Sequence, residues 1–117
     1  MTKHFSKWLS KQKVSKRELH KSLDELEKGN FEANLGGCLY KKRIRFKDRG
    51  KRGSGRTIIC YKKGNRAIFI YGFAKNEKSN LSKKELVAFK ELAKILVNLS
   101  EEDLEIGIKN RDFIELK

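Results

Sequence analysis

Hydrophobic residues recur at helical spacing through the first third of the chain. Phe5, Trp8 and Leu9 stand at positions i, i+3 and i+4, which predicts a short helix. A second helix is predicted after a capping-box pattern over Ser15–Glu18, because three leucines follow it at i, i+4 and i+7. Gly29 is placed to end that helix. We expect the two helices to form a hairpin with one apolar face.

The middle third alternates between apolar and basic positions, which predicts a half-buried strand over residues 39–46. One face of this strand carries Lys41, Arg43 and Arg45. The other face is apolar and carries Cys38, Tyr40, Ile44 and Phe46. By its parity in the strand, Lys42 falls on that apolar side.

Two further segments, residues 56–62 and 66–74, are rich in β-branched and aromatic side chains and predict two more strands. The Gly64-Asn65 pair between them is typical of a tight hairpin turn. Both segments are apolar at nearly every position. We therefore expect both strands to lie at the centre of the sheet, buried on both faces.

The last third returns to helical spacing after a second capping box, over Ser82–Glu85. Beyond residue 98 an acidic stretch predicts a short helical turn and then an edge strand over residues 113–116. The chain is predicted to be a single domain over residues 1–117, of the α+β class. In this fold an N-terminal helical hairpin packs on a small twisted antiparallel β-sheet, and a C-terminal helix follows.

The net charge of the chain indicates which classes of molecule it can bind. With 29 basic and 15 acidic residues among 117, the formal net charge is +14, which predicts attraction to nucleic acid or to an anionic membrane or protein. No apolar run approaches the roughly 18–20 residues of a spanning helix. Residues 3–13 could lie on a membrane as a basic amphipathic helix, but their apolar side chains are more typical of a docking face. The N-terminus lacks the apolar stretch of a signal peptide, so we expect a cytoplasmic protein that does not bind membranes.

Residue types that often carry catalysis or metals are scarce near the basic strands. His4 and His20 fall in the helical first third, so they are predicted to lie away from the cationic sheet and to form no catalytic pair. Cys38 and Cys60 fall within predicted strands without CxxC spacing, which favours reduced core thiols over a zinc site. No carboxylate cluster typical of a metal-dependent nuclease is present. We therefore expect no metal and no other cofactor.

Basic residues are densest between residues 39 and 56, where nine lysines or arginines accompany a single acid. The alternating strand cations should be ~7 Å apart at a rise of ~3.3–3.4 Å per residue, close to the phosphate spacing of one nucleic-acid strand. The glycine-rich loop that follows adds Arg49, Lys51 and Arg52, and its backbone N–H groups are open to phosphate oxygens. The alternative is a solvated charge run between two strands.

Arg56 differs from the loop cations because it opens an otherwise apolar strand, which should fix its guanidinium in place. A fixed arginine can stabilise a pentavalent phosphate through paired hydrogen bonds. Counted from the hairpin turn, Lys75 is predicted to face Arg56 to within about one residue. An ordinary lysine at a strand end is the alternative for Lys75.

Three stretches of the sequence resemble a known family. They are residues 35–45, residues 50–58, and residues 66–81 with their Phe-x-Lys-Asn-Glu-x-x-Asn motif at positions 73–80. Together they resemble the RelE/HigB-like toxins of bacterial type II toxin–antitoxin systems, in the glycine-rich-loop branch of the RelE/ParE superfamily. The resemblance extends from the helical hairpin through the helix after Ser82, and it implies a RelE-like fold.

The resemblance implies a ribosome-dependent mRNA endonuclease, or mRNA interferase, that inhibits translation. Relatives cut by attack of the RNA 2′-OH, which leaves a 2′,3′-cyclic phosphate and needs no metal. Arg56 matches the family's contact to the scissile phosphate. Lys41 and Arg43 match basic residues that bind and polarise the RNA, and Lys75 and Lys78 match the cluster after the hairpin.

The residue patterns and the resemblance together define two sets of candidates. The catalytic candidates are Arg43, Arg56 and Lys75. The RNA-binding candidates are Lys41, Lys42, Arg45, Arg49, Lys51, Arg52 and Lys78. The implied partners are mRNA, the ribosome and a cognate antitoxin that carries a helix-turn-helix DNA-binding module. An acidic or amphipathic antitoxin segment would cover the cationic surface.

This chain departs from the family pattern at two positions. Asn76 stands where an arginine is expected, and Ser82 stands where some relatives carry a catalytic tyrosine. The general acid and base are therefore left open. Two other functions also stay open, namely a ParE-like toxin that acts on gyrase and a non-catalytic protein that binds RNA or the ribosome.

Overall fold

Four helices and four strands make up the part of the chain that the computed structural model describes, which is residues 1–12, 14–46, 54–75, 78 and 80–115. In chain order the elements are α1 (Lys3–Ser10), α2 (Lys16–Glu27), β1 (Ala33–Gly36), β2 (Leu39–Arg45), β3 (Ser54–Lys62), β4 (Arg66–Ala74), α3 (Lys83–Val97) and α4 (Glu101–Lys109). Helices precede and follow one antiparallel sheet, which confirms the predicted α+β class. None of the described helices is long and apolar enough to span a membrane.

Side-chain caps fix where the helices begin. Ser15 Oγ accepts a hydrogen bond from the Glu18 N–H at 3.2 Å, and α2 starts at the next residue. Ser82 and Glu85 form both halves of a capping box at α3. Each cap satisfies backbone donors that a first helical turn leaves unpaired. Gly29 follows α2 with a φ of 86°, the left-handed conformation that favours glycine. Both predicted helix starts are confirmed.

The sequence pattern did not reveal β1, which pairs with β2 at one edge of a sheet of order β1-β2-β3-β4. The two strands meet in a turn where Gly36, Gly37 and Cys38 all have positive φ angles, of 89°, 59° and 66°. Asn34 supports this turn by accepting the Gly36 N–H at 2.9 Å. The strand position predicted for Cys38 is therefore wrong, because its left-handed backbone belongs to the turn.

The two apolar strands differ in their position in the sheet. β3 lies between β2 and β4, as predicted, but β4 forms an edge among the described strands rather than a central strand. β4 is apolar nonetheless because the first residues of the chain cover its outer side. The Thr2 N–H donates to the Phe69 carbonyl at 2.9 Å, which satisfies part of that edge.

The end of the chain is more helical than its sequence predicts. α4 is a nine-residue helix rather than a short turn. Where a strand was predicted over residues 113–116, Phe113 forms an isolated bridge to Thr2, and Leu116 lies outside the described residues. A β-carbon at Gly107 would lie 2.4 Å from the Phe113 ring. Ring packing on α4 therefore anchors this tail together with backbone hydrogen bonds from Ile114 to Met1 and from Lys3 to Asp112.

The sheet carries a core on each face. α1 and α2 cover one face, which we call the hairpin face, and α3 packs on the other. On the hairpin face the Trp8 ring lies directly over Gly72, and the Phe46 ring lies over Gly55. A β-carbon would come within 2.4 Å of the first ring and 2.6 Å of the second. Glycine thus lets aromatic rings close on the strands of the hairpin face.

Candidate functional site

Cross-strand register gathers most of the predicted site residues on the sheet face opposite the hairpin. From β2 through β3 to β4, one row contains Lys41, Ile58 and Tyr71, and the next contains Arg43, Arg56 and Phe73. Arg45 lies opposite Ser54 in a third row. Directly opposed residues of antiparallel strands project to the same side of the sheet. We call the surface that these rows form with Lys75 and Lys78 the cationic face.

The β2 cations differ in how far they reach solvent. Arg43 and Arg45 are exposed, and neither forms an ion pair with another residue of the described ranges. Lys41 is half-buried, and its Nζ donates to Asn80 Oδ1 at 3.4 Å. The two arginines therefore leave their charge open to a polyanion, and Asn80 orients the lysine beside them.

Arg56 is a buried cation of the cationic face, with 4% of its surface exposed. Its Nε forms an ion pair with the carboxylate of Glu32, just before β1, and its Nη1 donates to the Gly55 carbonyl at 3.2 Å. Arg43 stands directly opposite on β2. The guanidinium is thus held from two sides next to a second arginine, a concentration of positive charge that a phosphate can neutralise.

Lys75 does not face Arg56, so the predicted pairing of these two residues is wrong. The hairpin closes with Lys62 opposite Arg66, so its loop is centred on Gly64, and the extra residue that β4 has between Ile58 and Ile59 adds only one position to the register. Arg56 is consequently opposite Phe73, and the Lys75 N–H donates to the Ser54 carbonyl at 3.3 Å. Lys75 is exposed at the end of the hairpin, two residues farther along the strand than expected.

Lys78 is held over an aromatic surface. Its Nζ lies 5.4 Å from the centroid of the Tyr71 ring and 6.0 Å from that of Phe73, and it forms an ion pair with Glu85. The hydrogen bond with Glu85 is the main reason that the pKa of Lys78 is raised. The same contact, helped by the backbone N–H of Ser82, lowers the pKa of Glu85 to about 2. Both groups therefore stay charged near neutral pH.

Lys42 does not join this surface. Lys42 is 8% exposed and lies on the hairpin face, where its Nζ is 3.3 Å from Glu25 of α2. This position agrees with its strand parity, and it turns the ammonium away from the other cations. Arg49, Lys51, Arg52 and Asn76 lie outside the described residues.

His4 corrects another expectation, because it lies beside the cationic sheet rather than away from it. Its ring stacks on Tyr71 with centroids 5.7 Å apart and an interplanar angle of 6°. The Tyr71 hydroxyl in turn accepts a hydrogen bond from Lys78 Nζ at 3.5 Å. α1 packs against β4, which brings this helix residue to the rim of the cationic face.

The cysteines and potential metal ligands add no second centre in the described part of the chain. Burial, reinforced by Cys38, raises the pKa of the Cys60 thiol to about 11, so this thiol stays protonated. Its Sγ lies 3.6 Å from the Ala93 carbonyl, inside the core beneath α3. Within the described ranges, no three His, Cys, Asp or Glu side chains gather as metal ligands would.

Two carboxylates of the site were missed from the sequence. Glu32 was overlooked because the short strand after it was not predicted, so nothing placed it near Arg56. Glu85 was identified only as a helix cap, although it also binds Lys78. A search for acids close in space to the candidate cations would have needed the position of β1 and the contact between Lys78 and α3.

A family model described as "RelE toxin of RelE / RelB toxin-antitoxin system" matches residues 1–116 of this chain. The match covers nearly the whole length, including the helices on both sides of the sheet and all three rows of the cationic face. No curated protein and no solved structure matches the chain. The family model is therefore the comparison that bears on its biology.

Proposed function

Since this chain belongs to the RelE toxin family, and is thus a toxin of a toxin–antitoxin system with an antitoxin as its partner, we propose that it cleaves mRNA. The cleavage takes place on the ribosome, so the protein works in the cytoplasm as an inhibitor of translation. The observation that carries this proposal is the pairing of Arg43 with Arg56 across two strands, with Arg56 held in a fixed position.

Two adjacent guanidiniums suit the transition state of RNA cleavage. Attack of the 2′-OH on phosphorus concentrates negative charge on the non-bridging phosphate oxygens. Arginine donates paired hydrogen bonds that match this geometry and remains charged at any relevant pH. Hydrogen-bond donors that are already in place need little reorganisation energy during the reaction. Their stabilisation of the transition state can therefore supply a large part of the rate enhancement. Arg56 and Arg43 have that role in the proposed site.

The surrounding cations bind the rest of the RNA strand. Arg45 and Lys41 flank Arg43 along β2 at the ~7 Å spacing of alternate strand positions. Lys75 extends the surface past β4, and Lys78 adds a permanent positive charge over Tyr71 and Phe73. We propose the same binding role for the loop residues Arg49, Lys51 and Arg52. Lys42 is left out of the RNA surface because its ammonium pairs with Glu25 on the hairpin face.

The ribosome enters the proposal because this site is rich in charge, while the attacking 2′-OH must still be aligned with the scissile bond. Holding the 2′-OH in line with the scissile bond can supply a large part of the rate enhancement. A ribosome that fixes the mRNA backbone would supply that alignment. The antitoxin would then inhibit the toxin by laying an acidic segment on the cationic face, and its own helix-turn-helix module would bind DNA.

The test is induction of the full chain in cells, with primer extension on a reporter mRNA. We expect growth arrest and new mRNA 5′ ends with the wild type, and neither with Arg56→Ala. Arg56→Lys should also fail, because lysine keeps the charge but lacks the paired donors. Lys62→Ala, at the far end of β3, is the matched surface control and should behave as the wild type.

Circular dichroism of each purified variant separates loss of activity from loss of fold. A folded Arg56→Ala protein that still arrests growth and cuts mRNA would contradict the proposal. Growth arrest with an SOS response and intact mRNA would favour action on gyrase instead. Expression without toxicity, together with strongly salt-dependent RNA binding, would favour a non-catalytic protein.

A further inference from the structure

We infer that Glu32 is the general base of the proposed RNA cleavage, taking the proton from the attacking 2′-OH. The inference rests on the proposed function and adds a residue to the same site. Glu32 lies just before β1, and its carboxylate is in direct contact with Arg56. A phosphate that binds Arg56 must therefore arrive beside this carboxylate.

The exposure of the two partners differs in a way that suits this role. The Arg56 side chain is 5% exposed, whereas the Glu32 side chain is 35% exposed. The ion pair to Arg56 runs through Glu32 Oε2, and Oε1 accepts no hydrogen bond from a described residue. An open cleft of about 340 Å³ is lined by Glu32, Arg43 and Lys42 together with residues 29–31, and Arg56 contacts it through Glu32. A nucleotide in this cleft can thus reach the exposed part of the Glu32 carboxylate.

The other carboxylate on the cationic face is less suited to accept a proton. Glu85 Oε1 binds Lys78 and accepts the Ser82 N–H at 2.9 Å. These donors hold the pKa of Glu85 at about 2, and a group that acidic is a weak base near neutral pH. Glu85 is thus occupied as a helix cap and a counterion. Among the carboxylates of the described residues, Glu32 combines contact with Arg56 and access from solvent.

The reaction balances with these groups and water. The 2′-OH gives its proton to the Glu32 carboxylate as its oxygen forms a bond to phosphorus. The bond from phosphorus to the 5′-oxygen breaks, and this oxygen takes a proton from water. The products are a 2′,3′-cyclic phosphate and a 5′-hydroxyl, and the carboxylic acid later releases its proton to solvent. Arg56 holds the phosphate oxygens while charge builds on them.

The test compares single-turnover cleavage of a reporter mRNA on programmed ribosomes by the full-length wild type and by Glu32→Gln. A positioned general base contributes about 10²–10⁴-fold, so the rate should fall by that factor. The toxin concentration that gives half the maximal cleavage rate should change little. Glu32→Asp, which keeps a carboxylate on a shorter arm, should recover part of the rate.

The pH profile separates a proton acceptor from a residue that only holds Arg56 in place. The wild-type rate should fall as the pH is lowered and the base takes up its proton, and Glu32→Gln should lose this dependence. Glu25→Gln is the matched control, because it breaks a carboxylate–lysine pair on the opposite face of β2. It should keep both the wild-type rate and the pH profile. Thermal melting confirms that each variant is folded.

The outcomes distinguish this inference from the function on which it rests. If the wild type cleaves and Glu32→Gln cleaves equally fast, or faster with tighter binding, Glu32 is not the base, and the proposed function stands. A slow Glu32→Gln that retains the wild-type acid dependence also overturns the inference, because Glu32 then acts only by positioning Arg56. If the wild type does not cleave mRNA, both proposals fail together.

Discussion

The same strands form both faces of the sheet, but the two faces differ in what covers them and in how many charged side chains they carry. On the hairpin face, aromatic rings press onto glycines, and the one lysine described there, Lys42, is neutralised by Glu25. On the cationic face, α3 covers part of the sheet, and the remainder carries arginines and lysines. Both faces therefore stabilise the fold through a core, and the cationic face also leaves part of its surface available for a ligand.

The comparison also shows how a site can tolerate so much like charge. Where a cation is buried or half-buried, a carboxylate or amide oxygen supports it, as Glu32 does for Arg56 and Asn80 for Lys41. Where a cation is exposed, as at Arg43 and Arg45, water screens the repulsion. The inner cations are thus fixed in position, and the outer ones remain open to phosphate.

The largest expected effect tests the structural role of the hairpin face. Phe5 is fully buried and stacks on Phe69 with ring centroids 5.0 Å apart. Phe5→Ala should lower the free energy of unfolding by about 3–5 kcal/mol, because it leaves a cavity in the core. Val87→Ala on α3 is the control, since Val87 is 63% exposed and should cost less than about 0.5 kcal/mol. Urea unfolding of both variants measures the difference, and equal midpoints would show that the Phe5 ring contributes no core packing on the hairpin face.

A smaller effect on the same face probes the contact between ring and glycine. Gly72→Ala places a β-carbon 2.4 Å from the Trp8 ring, so the ring or the strand must move. We expect a loss of about 1–3 kcal/mol, as is common for overpacked cores. Trp8→Leu in the same chain should recover part of this loss by making room. A Gly72→Ala variant as stable as the wild type would show that the packing is loose.

On the cationic face, the ion pair of Lys78 and Glu85 predicts a stability change in acid. The folded protein holds the pKa of Glu85 at about 2, below the ordinary value of 4.5 that applies when it is unfolded. The pair therefore stabilises the fold above about pH 4.5, and this contribution disappears as the pH falls from there towards 2.

Urea unfolding between neutral pH and pH 3 measures that contribution, which should be on the order of 1 kcal/mol because both side chains are partly solvated. Glu85→Gln should flatten the acid dependence, and Lys78→Gln should do the same from the other side of the pair. A Lys78→Gln variant with the wild-type pH dependence would show that the helix cap alone lowers the pKa of Glu85.

The smallest effect concerns one exposed cation. Arg45→Ala should leave stability unchanged and reduce the slope of log binding constant against log salt by about 0.7 for a single-stranded RNA, because one phosphate contact is lost. Lys62→Ala removes an equal charge at the far end of the sheet and should keep the wild-type slope. Identical slopes for the two variants would mean that RNA binds by net charge, without a preferred face.

Much of the fold followed from local patterns in the sequence. The helix caps at Ser15 and Ser82 and the hairpin at Gly64 were predicted because each depends on a few neighbouring residues. β1 was not predicted, since a strand of four residues that ends in a glycine carries little periodicity. The edge position of β4 depends on pairing with the N-terminus, which no local pattern records.

The sequence predicted the candidate site where alternation along a strand decides which face a side chain lies on. Parity placed Arg43 and Arg45 on one face and Lys42 on the other, as the structure has them. The register of Lys75 was wrong, because the hairpin closes with Lys62 opposite Arg66, and residue types alone do not reveal this loop length. Glu32 reaches Arg56 from outside the predicted strands, so its role required the three-dimensional structure.

The proposed cationic face cleaves RNA by directing the 2′-OH of the RNA itself at the neighbouring phosphorus. The most direct test is end-group analysis of a reporter mRNA cut by the wild-type protein on ribosomes, beside the same mRNA with one 2′-deoxynucleotide at the cut site. We predict a 2′,3′-cyclic phosphate and a 5′-hydroxyl on the normal mRNA, and no cut at the deoxy position. Products with a 5′-phosphate, or cleavage at the deoxy position, would contradict the account.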